Sequence, residues 1–135
     1  MEGLGPGSAQ PGWMEALDRA CAFESWGPLG EREWALLLPP AGYALWSVVP
    51  GLEEAELLRV AVAPDRRRSG LGRALLEGSE PFLKAQGVQL LLLEVRVGNS
   101  AARALYQVLG WQEVGLRRGY YRDGEDAVLY RKLLA

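Results

Sequence analysis

The chain has 135 residues, of which 49% are hydrophobic and 24% charged, with a formal net charge of −2; this fits one ordinary domain with a single core and makes a second domain improbable. That near balance gives no global field for nucleic acid, so the arginines matter as a local cluster. One cysteine and no histidine exclude an internal disulfide and a tetrahedral Cys/His metal site. No apolar run reaches the length of a membrane span, and the opening Met1-Glu2-Gly3-Leu4 has no signal-peptide pattern, so a cytoplasmic protein with no membrane partner is expected.

Residues 1–12 are rich in Gly, Pro and Ser without a period and are expected to be a flexible tail, leaving 13–135 as the single domain. From Trp13 to Ser25, Trp13, Leu17, Ala20 and Cys21 recur at helical spacing with Glu15, Asp18 and Arg19 elsewhere, which predicts the first helix. Cys21, on the apolar face, is assigned to packing rather than to an acyl-cysteine intermediate. Glu33 to Leu38 and Gly42 to Val49 are predicted strands around Pro39-Pro40-Ala41. Pro50-Gly51 turns the chain into a third strand, Glu54 to Ala63, which completes an antiparallel meander.

That third strand runs into Pro64-Asp65-Arg66-Arg67-Arg68-Ser69-Gly70-Leu71-Gly72-Arg73 and then into helix-forming sequence. A glycine bend beside a helix N-terminus presents unpaired backbone N–H groups that suit a phosphate or pyrophosphate, and the flanking arginines add charge-assisted bonds. Alone, such a loop is as often a solvated connection. A dinucleotide fold needs a third glycine where Leu75 stands, and a P-loop needs Lys and Ser/Thr after the last glycine, so the loop meets neither pattern.

Leu71 to Gln86 is a predicted helix with a kink at Pro81, ended by Gly87. Strands follow at Val88 to Val95, Trp111 to Arg117 and Ala127 to Leu133, with a helix at Ser100 to Leu109 behind the N-cap candidate Asn99. The class is α/β (α+β), a mixed sheet with helices on its faces. Glu94 interrupts an apolar strand, where a charge must be solvated, paired or used; pairing with Arg96 is the plain alternative. Tyr106 on the next helix reads equally as a core ring with a buried hydroxyl.

The strand Val60-Ala61-Val62, the R-x-x-G-x-G of Arg67 to Gly72, L-E-V-R around Glu94, N-x-A-A-x-x-L-Y-x-x-L-G-W from Asn99 to Trp111, and R-R-x-Y-Y with E-D-A near the C-terminus, in this order, resemble the RimI branch of the GNAT N-acetyltransferases. The resemblance runs from about Gly42 onward. It implies a mostly antiparallel sheet whose strands splay at an acetyl-CoA site, no metal, and acetyl transfer to a protein N-terminal amine, by resemblance that of a small-subunit ribosomal protein beginning with alanine, with no direct nucleic-acid contact. It also implies that backbone groups of Val60, Ala61 and Val62 line the pantetheine arm, with an N–H near Val62 facing the thioester oxygen. Arg67, Arg68, Ser69, Gly70, Leu71, Gly72 and Arg73 would take the pyrophosphate, and Asn99 the pantetheine. Glu94 resembles the general base and Tyr106 the general acid. A GNAT acting on lysine or a small amine, or a noncatalytic module binding coenzyme A or the ribosome, are the rivals. Against the family, the first strand looks absent and the second helix, between Gly27 and Glu33, shortened or lost.

Overall fold

The computed structural model of the chain describes residues 1–49 and 51–134. Its elements are β1 (Glu2–Leu4), α1 (Gly12–Ala20), β2 (Glu33–Leu38), β3 (Gly42–Val49), β4 (Glu54–Val62), α2 (Leu71–Ala85), β5 (Leu90–Arg96), α3 (Ser100–Val108), β6 (Gln112–Arg117) and β7 (Ala127–Leu133). They form one seven-stranded sheet in the order β1-β2-β3-β4-β5-β7-β6. Among the described residues only β4 and β5 run parallel; every other neighbouring pair is antiparallel. The expected meander and mixed sheet are therefore present. The turn expected at Pro50-Gly51 lies partly outside the described residues.

Strand alternation sorts the apolar side chains onto two faces. Leu36, Ala44, Trp46, Ala55 and Leu57 join Leu75, Leu76 and Leu83 of α2 and Tyr106 of α3 in one core cluster. Ala35, Leu37, Tyr43, Leu45 and Ala61 join Met14 and Leu17 of α1 in the other. One polar bond lies deep in the first cluster: Trp46 Nε1 donates to Ser79 Oγ at 3.0 Å, and Ser79 Oγ in turn donates to the Leu75 carbonyl. Ser79→Ala is expected to cost about 1–3 kcal/mol in denaturant unfolding, because it leaves the indole N–H buried without an acceptor.

Two expectations are corrected. The first residues are not a loose tail: Glu2, Gly3 and Leu4 pair antiparallel with Leu37, Leu36 and Ala35. Leu29 N–H then donates to the Ser8 carbonyl, and Gly7 N–H to the Leu29 carbonyl. Gly3 has no side chain where the Phe82 ring lies, 3.3 Å from the position a Cβ would take, so the glycine that suggested looseness permits close packing. Asp18, placed on the polar side of the first helix by its spacing, is fully buried. The helix keeps Met14, Leu17 and Asp18 inside and leaves Ala20 exposed.

The first helix ends at Ala20, short of the expected Ser25, while the boundaries from β2 onward follow the sequence closely. Helix α2 runs on through Pro81, whose ring lies on the exposed side, where a displaced carbonyl can meet water. No helix forms between Gly27 and Glu33, in keeping with the expected loss of a second helix there.

Candidate active site

The site originates in a local fault in β4. Across β3, Leu45 faces Arg59 and Trp46 faces Leu57, so Leu58 is an extra residue. Such a bulge bends a strand and resets its alternation. Before it, Ala55 and Leu57 face the α2 side; after it, Val60 and Val62 do, while Leu58 and Ala61 pack on the α1 side. Parallel pairing with β5 lasts only for Glu54↔Leu90, Ala55↔Leu91 and Glu56↔Leu92. Beyond Glu56 the two strands part, and the β5-facing edge of β4 is left without a strand partner. This is the expected splay.

Two hollows open along that edge. At the parting, Leu57, Leu58, Val60, Leu93, Glu94 and Tyr106 meet around a space of ≈ 100 Å³ that Arg59 also borders. Further along, Val62, Arg66, Arg67, Arg68, Gly70, Gly72 and Leu105 are among the walls of a hollow of ≈ 210 Å³, together with Leu71 and Arg73. Its floor is the start of α2. Gly70 precedes that helix in the left-handed region at φ 83°, and Arg68 also has a positive φ, 64°. The backbone thus curls into the conformation of an anion-binding nest, with the helix's free N–H groups behind it and arginines around it. Gly70→Ala meets no atom within 4 Å but strains the turn. A cost of about 1–2 kcal/mol predicts roughly tenfold weaker binding, by calorimetry, of the acetyl-CoA expected there if the turn relaxes away from its bound shape.

Of the expected contacts, Val60 borders the first hollow and Val62 the second. Ala61 turns its side chain into the α1-side core, so only its backbone is available. Ser69 is not among the residues walling the hollow; its hydroxyl donates to the Arg66 carbonyl and shapes the turn instead. Asn99 caps α3, its Oδ1 accepting from Ala102 N–H at 3.2 Å. Neither hollow counts it among its walls.

Glu94 is half-buried on the face of β5 opposite Leu91, Leu93 and Val95. Its partner is not Arg96 but Arg117, whose Nε stands 3.4 Å from Glu94 Oε1. Arg96 instead bridges Asp123 and Glu125 at 2.8 and 2.9 Å and packs 4.1 Å from the Tyr121 ring centroid, tying the loop between β6 and β7 to the end of β5. Hydrogen bonding to Glu94 raises the Tyr120 phenol above its ordinary pKa. Partial burial, and next the Glu94 charge, raise the Glu56 carboxyl, with Arg117 acting the other way. Glu94 therefore belongs to a polar group with Glu56, Arg117 and Tyr120 on the α1 side of the sheet.

Tyr106 approaches from the other side. Its ring packs 5.8 Å from both Trp111 and Tyr130, and burial, followed by the neighbouring tyrosines 121 and 130, pushes its pKa up to about 12. The phenol stays protonated at neutral pH. Burial also raises Tyr43, helped by its hydrogen bond to Asp18. Raised phenols stabilise the fold below their unfolded pKa of about 10, and that contribution is lost as pH climbs through the folded value. Denaturant melts should accordingly lose stability from pH 10 upward, and less steeply in Tyr106→Phe.

Sequence reasoning missed Arg59, Asp18 and Tyr43. Arg59 Nη1 lies 3.5 Å from Asp18 Oδ1, and the Tyr43 hydroxyl donates to the same carboxylate oxygen at 2.5 Å. The signal was legible: a cation inside the apolar run Leu57 to Val62, and an acid one turn after Met14 on α1. Among the described residues no cluster of three or more His, Cys, Asp or Glu is arranged to hold a metal, and no helix is long and apolar enough to cross a membrane.

A bulged β4, a parted parallel pair and an arginine-lined glycine turn at a helix start thus form one open sheet edge with an anion-binding end. The sequence profile of the acetyltransferase (GNAT) family matches residues 8–111, and the chain belongs to that family. It is 51% identical over 92 residues, 66% of its length, to the [ribosomal protein bS18]-alanine N-acetyltransferase of Escherichia coli (strain K12); the matched stretch spans 61% of that relative. Its identity to the enzyme of the same name from Salmonella typhimurium (strain LT2) is 46% over 110 residues, covering 76% of this chain and 73% of the relative. The crystal structure of the ribosomal-protein-S18-alanine N-acetyltransferase from Escherichia coli superposes with a TM-score of 0.77 at 38% identity, over 95% of this chain and 92% of that one.

Proposed function

We propose that the chain is an N-alpha-acetyltransferase that moves an acetyl group from acetyl-CoA to the N-terminal amine of a protein. The observation that carries this reading is the parting of β4 and β5, which gathers Val60, Glu94 and Tyr106 around one hollow at the open edge whose other end is the arginine-lined turn. In this reading the pyrophosphate lies in the turn. The pantetheine arm follows the free edge of β4 as a pseudo-strand, and a β4 backbone N–H near Val62 stabilises the oxyanion. Likeness to relatives named for ribosomal protein bS18 and alanine supports an N-terminal alanine of a ribosomal protein as acceptor, and hence the cytoplasm as the place of action.

The reaction is a direct attack. The amine nitrogen forms a bond to the thioester carbonyl carbon, the C–S bond breaks, and the proton lost by nitrogen passes to Glu94, directly or through water. Tyr106 donates a hydrogen bond to the departing sulfur. A phenol at about 12 and a thiol near 8.5 make completed proton transfer uphill, so the hydrogen bond to the growing negative charge is the main contribution of Tyr106 to the barrier. Thiol and amide are the products, and the proton count closes when Glu94 returns its proton to solvent and the thiolate is protonated.

The test is incubation with acetyl-CoA and a peptide bearing both a free N-terminal alanine and an internal lysine, followed by fragment mass spectrometry. The expected mark is on the α-amine. Lysine marks alone overturn the N-terminal assignment. A thermal shift with RNA and none with coenzyme A overturns catalysis in favour of a binding module.

A further inference from the structure

In each turnover the nitrogen sheds more protons than the sulfur takes up. A protonated α-amine becomes an amide by losing two protons; the thiol of coenzyme A keeps one, and the other must reach solvent. Near neutrality, with an amine pKa of about 8, Glu94 therefore accepts twice: once from the ammonium before attack, and again as the nitrogen bonds to the thioester carbon. Between the two events it has to be emptied, while coenzyme and acceptor cover it and its own side chain is only 20% exposed.

Glu94 stands between two hollows. The one at the parting of β4 and β5 holds Tyr106 and Val60. The other, of ≈ 180 Å³, has Glu56, Leu92, Glu94, Val114, Arg117 and Leu129 among its walls. It has space for a short chain of waters at about 30 Å³ each. Its second carboxylate, Glu56, is exposed on β4 at the last position paired with β5. Glu56 does not wall the first hollow, so it reaches the reacting atoms only through Glu94.

Packing does not call for a glutamate at this place. Glu56 lies between Ser47 of β3 and Leu92 of β5, an exposed strand position that favours threonine or valine. The charged and titratable groups around it on this face are Glu54 of its own strand, Glu33 of β2, Glu94 of β5, Arg131 of β7, Arg117 of β6 and the Tyr120 phenol. Arg117 is drawn to Glu94, and among the described residues Glu56 joins no ion pair. Two carboxylates facing one hollow pass a proton between them readily, because protonating either one relieves their repulsion. Partial burial, and next the Glu94 charge, raise the Glu56 carboxyl, so it draws a proton more strongly than an ordinary surface glutamate.

We propose that Glu56 is the proton outlet of Glu94: the first proton of the ammonium passes to Glu94, through water in the shared hollow to Glu56, and out to solvent, which restores the Glu94 carboxylate before attack. The inference rests on the acetyltransferase reading. The balance closes as ammonium and thioester giving amide, thiol and one proton in solution, with Glu56 unchanged at the end.

The experiment measures kcat/KM for an alanine-initiated peptide at pH 7 and pH 9, and the acetyl-CoA Kd by calorimetry, for the wild type, Glu56→Gln and Glu56→Asp. Without an outlet the enzyme depends on acceptor that arrives neutral, about a tenth of it at pH 7 and about nine-tenths at pH 9 for a pKa of about 8. Glu56→Gln is therefore expected to be about tenfold slower than the wild type at pH 7 and within about twofold of it at pH 9, with the acetyl-CoA Kd unchanged. Glu56→Asp, which keeps a carboxylate in the hollow, should recover most of the pH 7 rate. A loss in Glu56→Gln that is the same at both pH values marks a structural role and overturns the proposal. So does full activity at pH 7, or an aspartate variant as slow as the glutamine one; in each case the acetyltransferase reading stands. A wild type that binds acetyl-CoA but acetylates no amine overturns both.

Discussion

Glu94→Gln should lower kcat for peptide acetylation by about 10²–10⁴-fold, the usual range for losing a positioned base, with the acetyl-CoA Kd unchanged by calorimetry. The amide keeps the size of the carboxylate and a hydrogen-bonding oxygen for Arg117, 3.4 Å away in the native site, so the fold and the coenzyme turn are left intact. What it cannot do is take a proton. An α-amino group with a pKa of about 8 is mostly protonated near neutrality, and the nitrogen becomes strongly acidic as it bonds to the thioester carbon. The histidine-free chain offers no imidazole for this task. The deficit should narrow above pH 8, where solvent has already removed the first proton. A variant as fast as the wild type at pH 7 would remove Glu94 from the mechanism.

Tyr106→Phe should cost about 10²-fold in kcat, at the lower end of the range for acid–base catalysis. The smaller effect follows from the raised phenol, held at about 12 chiefly by burial: it is a firm hydrogen-bond donor but a reluctant acid. Because the phenylalanine ring retains the contacts with Trp111 and Tyr130, the melting temperature near pH 7 should move little, which separates a chemical loss from a packing loss. The tyrosine remains protonated well above neutrality, so any fall in kcat/KM between pH 8 and 10 should persist in the phenylalanine variant. A tyrosine-dependent limb in that interval, or full activity without the hydroxyl, would contradict the assigned role.

Much of this site was readable along the chain because its parts are local. The turn from Arg67 to Arg73 depends on a glycine that adopts a left-handed conformation and on a helix beginning directly afterwards, and Gly70 at φ 83° before Leu71 meets that expectation. Asn99 was readable as a cap for the same reason, its oxygen reaching only three residues ahead. Glu94 stood out as a charge within an apolar strand, yet its partner was misjudged. Arg96 is two residues away and so shares its face, but it is drawn to Asp123 and Glu125 on the returning loop, leaving Arg117 for Glu94. The first strand was missed because three residues with a glycine carry almost no pattern; they form a strand only because β2 offers them an open edge.

Sequence alone determined the order of strands and helices from α1 onward and the left-handed glycine turn ahead of α2, and it singled out Glu94 and Tyr106 as side chains with proton-transfer chemistry, since each depends on backbone preference or side-chain chemistry within a few residues. Tertiary structure decided what lies beside what. The extra residue at Leu58, visible only against its β3 partners, bends β4 away from β5, brings Tyr106 from one face toward Glu94 on the other, and sets Arg59 against Asp18 across 41 positions of chain. Register and burial are properties of pairs of segments, and no single segment encodes its partner.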